Sequence, residues 1–135
     1  MTVRPILHLS IPARNLTEAR EFYCRQLGLE IGRVRDTWFD VWFFGLQLSI
    51  QLAPDETPVK PGGVRHFGVT LPDRSEFDAV IDWAERHGIE WLSPPTRHSD
   101  EFSSKTAAFA ADPSGNVIEF KLYEDGSDWL PNEQK

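Results

Sequence analysis

One pattern occurs twice in this chain, which restricts the fold to an arrangement of two like modules. The first copy opens at Leu7-His8-Leu9-Ser10-Ile11-Pro12 and closes at Ser49-Ile50-Gln51-Leu52. The second opens at Arg65-His66-Phe67-Gly68-Val69-Thr70 and closes at Val117-Ile118-Glu119-Phe120-Lys121-Leu122. Each passes through a helical pattern closed by glycine, at Leu27-Gly28-Leu29-Glu30 and at His87-Gly88-Ile89-Glu90. A histidine opens each copy, and a side chain able to bind metal closes it. A duplicated module that delivers ligands in pairs can build one metal site between its halves.

Hydrophobic periodicity gives both copies the same order of elements. Residues 5–12 alternate as a strand that Pro12 stops. Asn15 reads as a helix N-cap, with Glu18 placed to complete a capping box. Leu16, Ala19, Phe22, Tyr23 and Leu27 then share one helical face, and Gly28 suits the left-handed position after the helix. Three β-type runs follow, at 29–35, 36–44 and 46–53. In the last, Leu46, Leu48, Ile50 and Leu52 alternate with Gln47, Ser49 and Gln51. Three prolines and two glycines make 54–63 a linker.

The order then restarts. A strand at 65–71 is followed by a helix capped at Asp73, with Phe77, Val80, Ile81 and Ala84 as its apolar stripe. A short strand at 89–92 leads into a polar stretch, 93–104, that holds two prolines and has no periodicity. Strands at 105–111 and 116–123 flank Asp112-Pro113-Ser114-Gly115-Asn116, whose proline and glycine predict a hairpin turn. The expectation is one α+β domain over 1–135. Module one spans 3–53, the linker 54–63, module two 64–123 and a polar tail 124–135. The two βαβββ modules form a curved mixed sheet around a cleft.

Composition narrows the class of partner. The chain has 14 basic and 21 acidic residues and a formal net charge of −7, which disfavours nucleic acid and anionic membrane. No basic segment followed by an apolar run opens it, no stretch approaches a membrane span, and its single cysteine, Cys24, suits a reducing compartment. A cytoplasmic protein acting on a small molecule is expected.

Strand parity selects the ligand candidates. Glu119 lies between Ile118 and Phe120, which face the core, so it shares the cleft face with Val117 and Lys121. His8, His66 and Glu119 form a two-imidazole, one-carboxylate set, which suits Fe, Mn, Ni, Zn or Co with coordination positions left open. Such a metal would hold two substrate oxygens and act as a Lewis acid. Gln47, Ser49 and Gln51 share one face, and matching Ile50-Gln51-Leu52 to Ile118-Glu119-Phe120 selects Gln51 as a fourth, weaker ligand. Gln47 is then a polar residue lining the cleft. Trp38 is a candidate wall for an unsaturated substrate, and Arg97 and Lys105 are candidate partners for a substrate anion. Glu119 is also the candidate general base.

These residues resemble the vicinal oxygen chelate superfamily of glyoxalase I, extradiol dioxygenases, and fosfomycin- and bleomycin-resistance proteins. The resemblance spans about Ile6 to Tyr123 and rests on His8-Leu9-Ser10-Ile11-Pro12, Glu21-Phe22-Tyr23 with Leu27-Gly28-Leu29, Phe43-Phe44-Gly45, His66-Phe67-Gly68-Val69, and Asp112 to Asn116 followed by Ile118-Glu119-Phe120. It implies paired βαβββ modules, often in a homodimer, with His8, His66 and Glu119 on a divalent metal. Gln51 stands where the family often has His or Glu. The expected activity is that of a metal-dependent enzyme chelating vicinal oxygens of a small organic substrate, as a glyoxalase-type isomerase or lyase or as an extradiol-type dioxygenase. The alternative is a metal-free protein that sequesters a cationic drug, as bleomycin-resistance proteins do.

Overall fold

The alternating runs of the sequence become two four-stranded mixed sheets, one from each module, in a computed structural model that describes residues 4–58, 61, 63–101 and 104–124. In the first, β1 (His8–Ala13) lies parallel to β4 (Leu46–Leu52), which pairs antiparallel with β3 (Trp38–Phe43), and β3 with β2 (Glu30–Val34). In the second, β5 (Phe67–Thr70) lies parallel to β8 (Val117–Tyr123), followed outward by β7 (Ser104–Ala111) and β6 (Trp91–Ser99). The strand orders β1-β4-β3-β2 and β5-β8-β7-β6 are the same path traced twice. The expected tail beyond Glu124 and part of the linker lie outside the described residues.

Each parallel pair needs a crossover, and the helices supply it. Asn15 caps α1 (Leu16–Arg20), its side chain accepting from the Glu18 backbone N–H at 2.9 Å, while the Glu18 carboxylate is taken by Arg14. The helix then widens into a π-helical segment, Glu21–Gln26, in which the Leu27 N–H donates to the Phe22 carbonyl at 3.0 Å. Neighbouring Phe22 and Tyr23 are both buried there, with their rings edge to face at 4.9 Å. The second helix, α2 (Arg74–Arg86), is capped by Asp73 and buries Phe77, Ile81 and Ala84. Gly28 (φ +70°) follows the first helix and Gly88 (φ +82°) the second, both in the left-handed region.

The helices meet as well: Trp83 Nε1 donates to the Arg25 carbonyl at 3.2 Å, and its indole lies against Gly28, where any side chain would collide with it. Leu48, Ile50, Phe39 and Val41 from the first sheet, and Ile118, Phe120, Ala108 and Ala110 from the second, join the helical residues in one continuous apolar core. Their alternating neighbours are left for another face.

The 93–104 stretch departs from expectation. Ser93 to Ser99 extend β6 despite Pro94 and Pro95. This strand is the outer edge of its sheet, and its register with β7 shifts between Trp91 and Ser93 and again between Ser93 and Thr96. An edge position with bulges tolerates the missing N–H donors that would break a central strand.

The turn from β7 to β8 joins the modules. The Asp112 carboxylate accepts from Tyr23 Oη (2.6 Å), the Ser114 and Asn116 backbone N–H groups and Asn116 Nδ2 (2.9 Å each). Asn116 Nδ2 also donates to the Pro12 carbonyl at 2.8 Å, and Ser114 Oγ accepts from the Arg14 N–H at 2.9 Å. Burial, then the Asp112 charge, holds the Tyr23 phenol well above its ordinary value of 10.0. Folding thus favours the protonated phenol, so this contribution is present below that pH and is lost as pH rises through the native value. Tyr23→Phe leaves the buried carboxylate one donor short and is expected to cost about 1–3 kcal/mol. Urea unfolding measures the loss, and the variant's stability should fall less steeply above pH 10 than the wild type's.

Candidate metal centre

In module two, β5 and β8 bring together the histidine and carboxylate that strand parity selected. Gly68 lies alongside Glu119 in the parallel pair, and His66 precedes β5 on the same face as Gly68. His66 Nε2 stands 3.2 Å from Glu119 Oε1, with the Glu119 side chain 7% exposed and that of His66 38%. The other ring nitrogen, Nδ1, is 2.9 Å from the Val64 carbonyl. A carbonyl only accepts, so Nδ1 carries the hydrogen in that contact and Nε2 of the neutral ring is a lone pair. A lone pair facing a carboxylate oxygen requires a proton or a cation between them. The Nδ1-to-carbonyl bond is also the outer contact that orients metal-binding histidines. The pair therefore fits a divalent cation.

Two neighbours hold the pair. Phe109, opposite Glu119 on β7, stacks edge to face with His66 at 5.6 Å between centroids. Gly68 allows the close approach of β5 to β8, because a Cβ there would fall on the Glu119 backbone carbonyl.

In module one, strand register separates residues that parity alone left together. His8 aligns with Gln47, Ser10 with Ser49 and Pro12 with Gln51. Across β4, Trp42, Asp40 and Trp38 align with Gln47, Ser49 and Gln51 in turn, so all share one polar face. Glu119 lies opposite the residue two beyond His66. The position opposite the residue two beyond His8 is Ser49, not Gln51. Ser49 Oγ donates to Asp40 Oδ1 at 2.7 Å, and Gln51 Nε2 donates to Ser10 Oγ at 3.3 Å.

The remaining candidates divide. Gln47 is half-buried beside the exposed His8. Trp38 is half-buried, with the Arg33 guanidinium 4.9 Å from its ring centroid. Lys105 aligns with Tyr123, on the Glu119 face but four residues further along β8. Arg97 aligns with Thr106, whose hydroxyl meets Arg74 of α2, and so belongs to the helix-bearing face. There Arg97 Nε donates to Glu124 Oε2 at 2.9 Å. Among the described residues, no three His, Cys, Asp or Glu side chains are grouped closely enough to hold a metal. His66 and Glu119 meet within the chain, and His8 and Gln51 do not join them.

A cavity of about 870 Å³ opens between β1 and the starts of β5 and β8, with Leu9, Ile11, His66, Phe67 and Val117 among its lining residues. The Arg33–Asp40 pair on the module-one face escaped sequence reading, since Arg33 reaches it only through an irregularity in β2.

A family model described as the Glyoxalase/Bleomycin resistance protein/Dioxygenase superfamily matches residues 5–120. A catechol-2,3-dioxygenase of Bacillus subtilis (strain 168) is 26% identical over 127 residues, covering 90% of this chain but only 42% of that protein. A glyoxalase/bleomycin resistance protein/dioxygenase from Alicyclobacillus acidocaldarius superposes with a TM-score of 0.84 at 34% identity, over 93% of this chain and 96% of the other. The genomically encoded fosfomycin resistance protein of Listeria monocytogenes shares the fold alone, with a TM-score of 0.68 at 12% identity over 95% and 98% of the two chains.

Gly68→Ala tests how far the site depends on strand spacing. It should destabilise by about 1–3 kcal/mol, the usual cost of overpacking. Proton exchange at the His66 ring, followed by NMR, should quicken as His66 and Glu119 separate.

Proposed function

This chain belongs to the Glyoxalase/Bleomycin resistance protein/Dioxygenase superfamily, and on that premise we propose that it is a divalent-metal enzyme acting on a small substrate with two neighbouring oxygens. The observation that carries the reading is the His66–Glu119 pair, with its outer nitrogen tied to Val64. A buried carboxylate facing an imidazole lone pair is a costly arrangement unless a proton or a cation joins them, and we take the joining group to be a divalent metal. His8 is the third proposed ligand.

Among reactions of this superfamily, strand register favours extradiol-type oxygenation over isomerisation. Ser49 occupies the position that corresponds to Glu119 and its hydroxyl is committed to Asp40, so module one contributes His8 without a carboxylate. Two histidines and one carboxylate with open positions are the ligand set of non-haem iron oxygenases. The Bacillus catechol-2,3-dioxygenase supports the same choice, although this chain spans less than half its length. When bound, the metal supplies Lewis-acid polarisation of a chelated oxygen. The chain's part is to fix the ligands: Val64 sets the His66 tautomer, Phe109 sets the ring plane, Gln47 meets the substrate beside His8, and Trp38 lies further along the same face.

The site also supports a homodimer. β1 and β5 each form one edge of their sheet, and unpaired edges invite association. The approaches to both histidines expose apolar side chains, Ile6 at 64%, Leu7 at 70% and Val64 at 92%. A second copy covering them would supply His8 to the His66–Glu119 pair.

Untagged protein loaded anaerobically with Fe, Mn, Ni or Zn should hold near-stoichiometric metal by inductively coupled plasma mass spectrometry. His66→Ala and Glu119→Gln should each lose most of it, and the iron form should consume oxygen with a catechol. Absence of bound metal under every condition would sink the enzyme reading.

A further inference from the structure

The module-one face carries a buried polar cluster that the metal reading does not use. Asp40 is 2% exposed, with both carboxylate oxygens engaged: Oδ1 accepts from Ser49 at 2.7 Å and Oδ2 from Arg33 Nε at 2.8 Å. Arg33 reaches it because the β2–β3 register slips. Ile31 faces Val41 and Val34 faces Phe39, leaving Gly32 and Arg33 opposite the single residue Asp40. A bulge of this kind re-aims a side chain. Gly32 suits the place, since a Cβ there would stand 3.2 Å from that of Asp40.

The guanidinium is held on two sides. Asp40 fixes its Nε edge, and the Trp38 ring lies 4.9 Å beneath it. Arg35 packs near the same ring at 5.6 Å, so two cations meet on one face of a chain whose net charge is −7. Among the described residues, the terminal amino groups of Arg33 take no hydrogen-bond acceptor, and its side chain is 58% exposed. A pinned guanidinium with its outward fork free is organised for a carboxylate, which it meets bidentately at little further entropic cost.

We propose that Arg33, set by Asp40 and Trp38, binds the carboxylate of an acidic aromatic ligand whose other end lies at His8. This rests on the metal-enzyme reading for the position of the other end. Asp40 aligns with Ser49 and Ser49 with Ser10, two residues beyond His8. Strand spacing and rise then place Asp40 about 12 Å from His8 at the backbone. The Arg33 guanidinium, anchored on Asp40 and lying over Trp38, and the His8 ring would bound this span, which suits one aromatic ring and a short acid arm. Trp38 and Trp42, on the same face, offer it apolar walls.

The test compares 3,4-dihydroxyphenylacetate with its uncharged amide by isothermal titration calorimetry, on metal-loaded and metal-free protein. Wild type should bind the acid about tenfold more tightly than the amide, as a charge-assisted bidentate contact implies. The preference should shrink at high salt. Arg33→Gln should abolish it without loss of metal, and Arg33→Lys, which keeps a cation beside Asp40, should retain part of it. Equal binding of acid and amide by wild type, or an undiminished preference in Arg33→Gln, would overturn the proposal. If the metal reading alone fails, the protein holds no metal yet still prefers the acid. If the Arg33 reading alone fails, metal and catechol binding persist with no preference between acid and amide.

Discussion

A single buried carboxylate, Asp112, ties the two modules of this protein together. It accepts one hydrogen bond from the first helix and three from its own turn, and the turn in turn binds the end of β1 through Asn116 and Ser114. A charge buried to this degree is stable only when its acceptor positions are filled. The turn cannot relax without exposing the charge or breaking its contact with module one. β8 begins at Val117, directly after this turn, so the position of Glu119 descends from the same node. Repeat architecture supplied two like units, and Asp112, together with the Trp83–Arg25 contact and the shared core, sets how one sits against the other.

The two halves then diverge in chemistry. Module two places an imidazole and a carboxylate in contact, with glycine at the one position where a side chain would force the strands apart. Module one places a hydroxyl at the corresponding register and turns its carboxylate, Asp40, toward an arginine. One scaffold thus carries a metal-type pair on one sheet and a pinned guanidinium on the other. A small substrate chelated at one end and charge-recognised at the other would use both. The net charge of −7 makes Arg33 and Arg35 the more telling, since an anionic ligand approaching this chain needs a local reversal of sign.

Much of the fold was legible in the sequence because it rests on local signals. Alternation marked the strands, Asn15 and Asp73 marked helix starts, Gly28 and Gly88 marked their ends, and the Asp112–Asn116 turn announced the last hairpin. The reading stumbled at Pro94 and Pro95, where an edge position and two register shifts absorbed residues that argue against a strand. It also could not see the π-helical widening after Arg20, which has no distinctive composition.

For the candidate site, alternation along the chain was enough for parity: which residues share a face with His8, and that Glu119 points away from the core. Parity repeats every two residues and cannot choose among Gln47, Ser49 and Gln51. Only strand pairing, a relation between distant segments, placed Ser49 at the register of Glu119 and Gln51 beside Pro12. The same holds for Arg97, whose face follows from its alignment with Thr106, and for Arg33, which a bulge turns toward Asp40. Backbone propensity and hydrophobic period are properties of neighbours along the chain. Register, bulges and buried charge pairs are set by which strands meet, a matter of contacts between segments far apart in the chain.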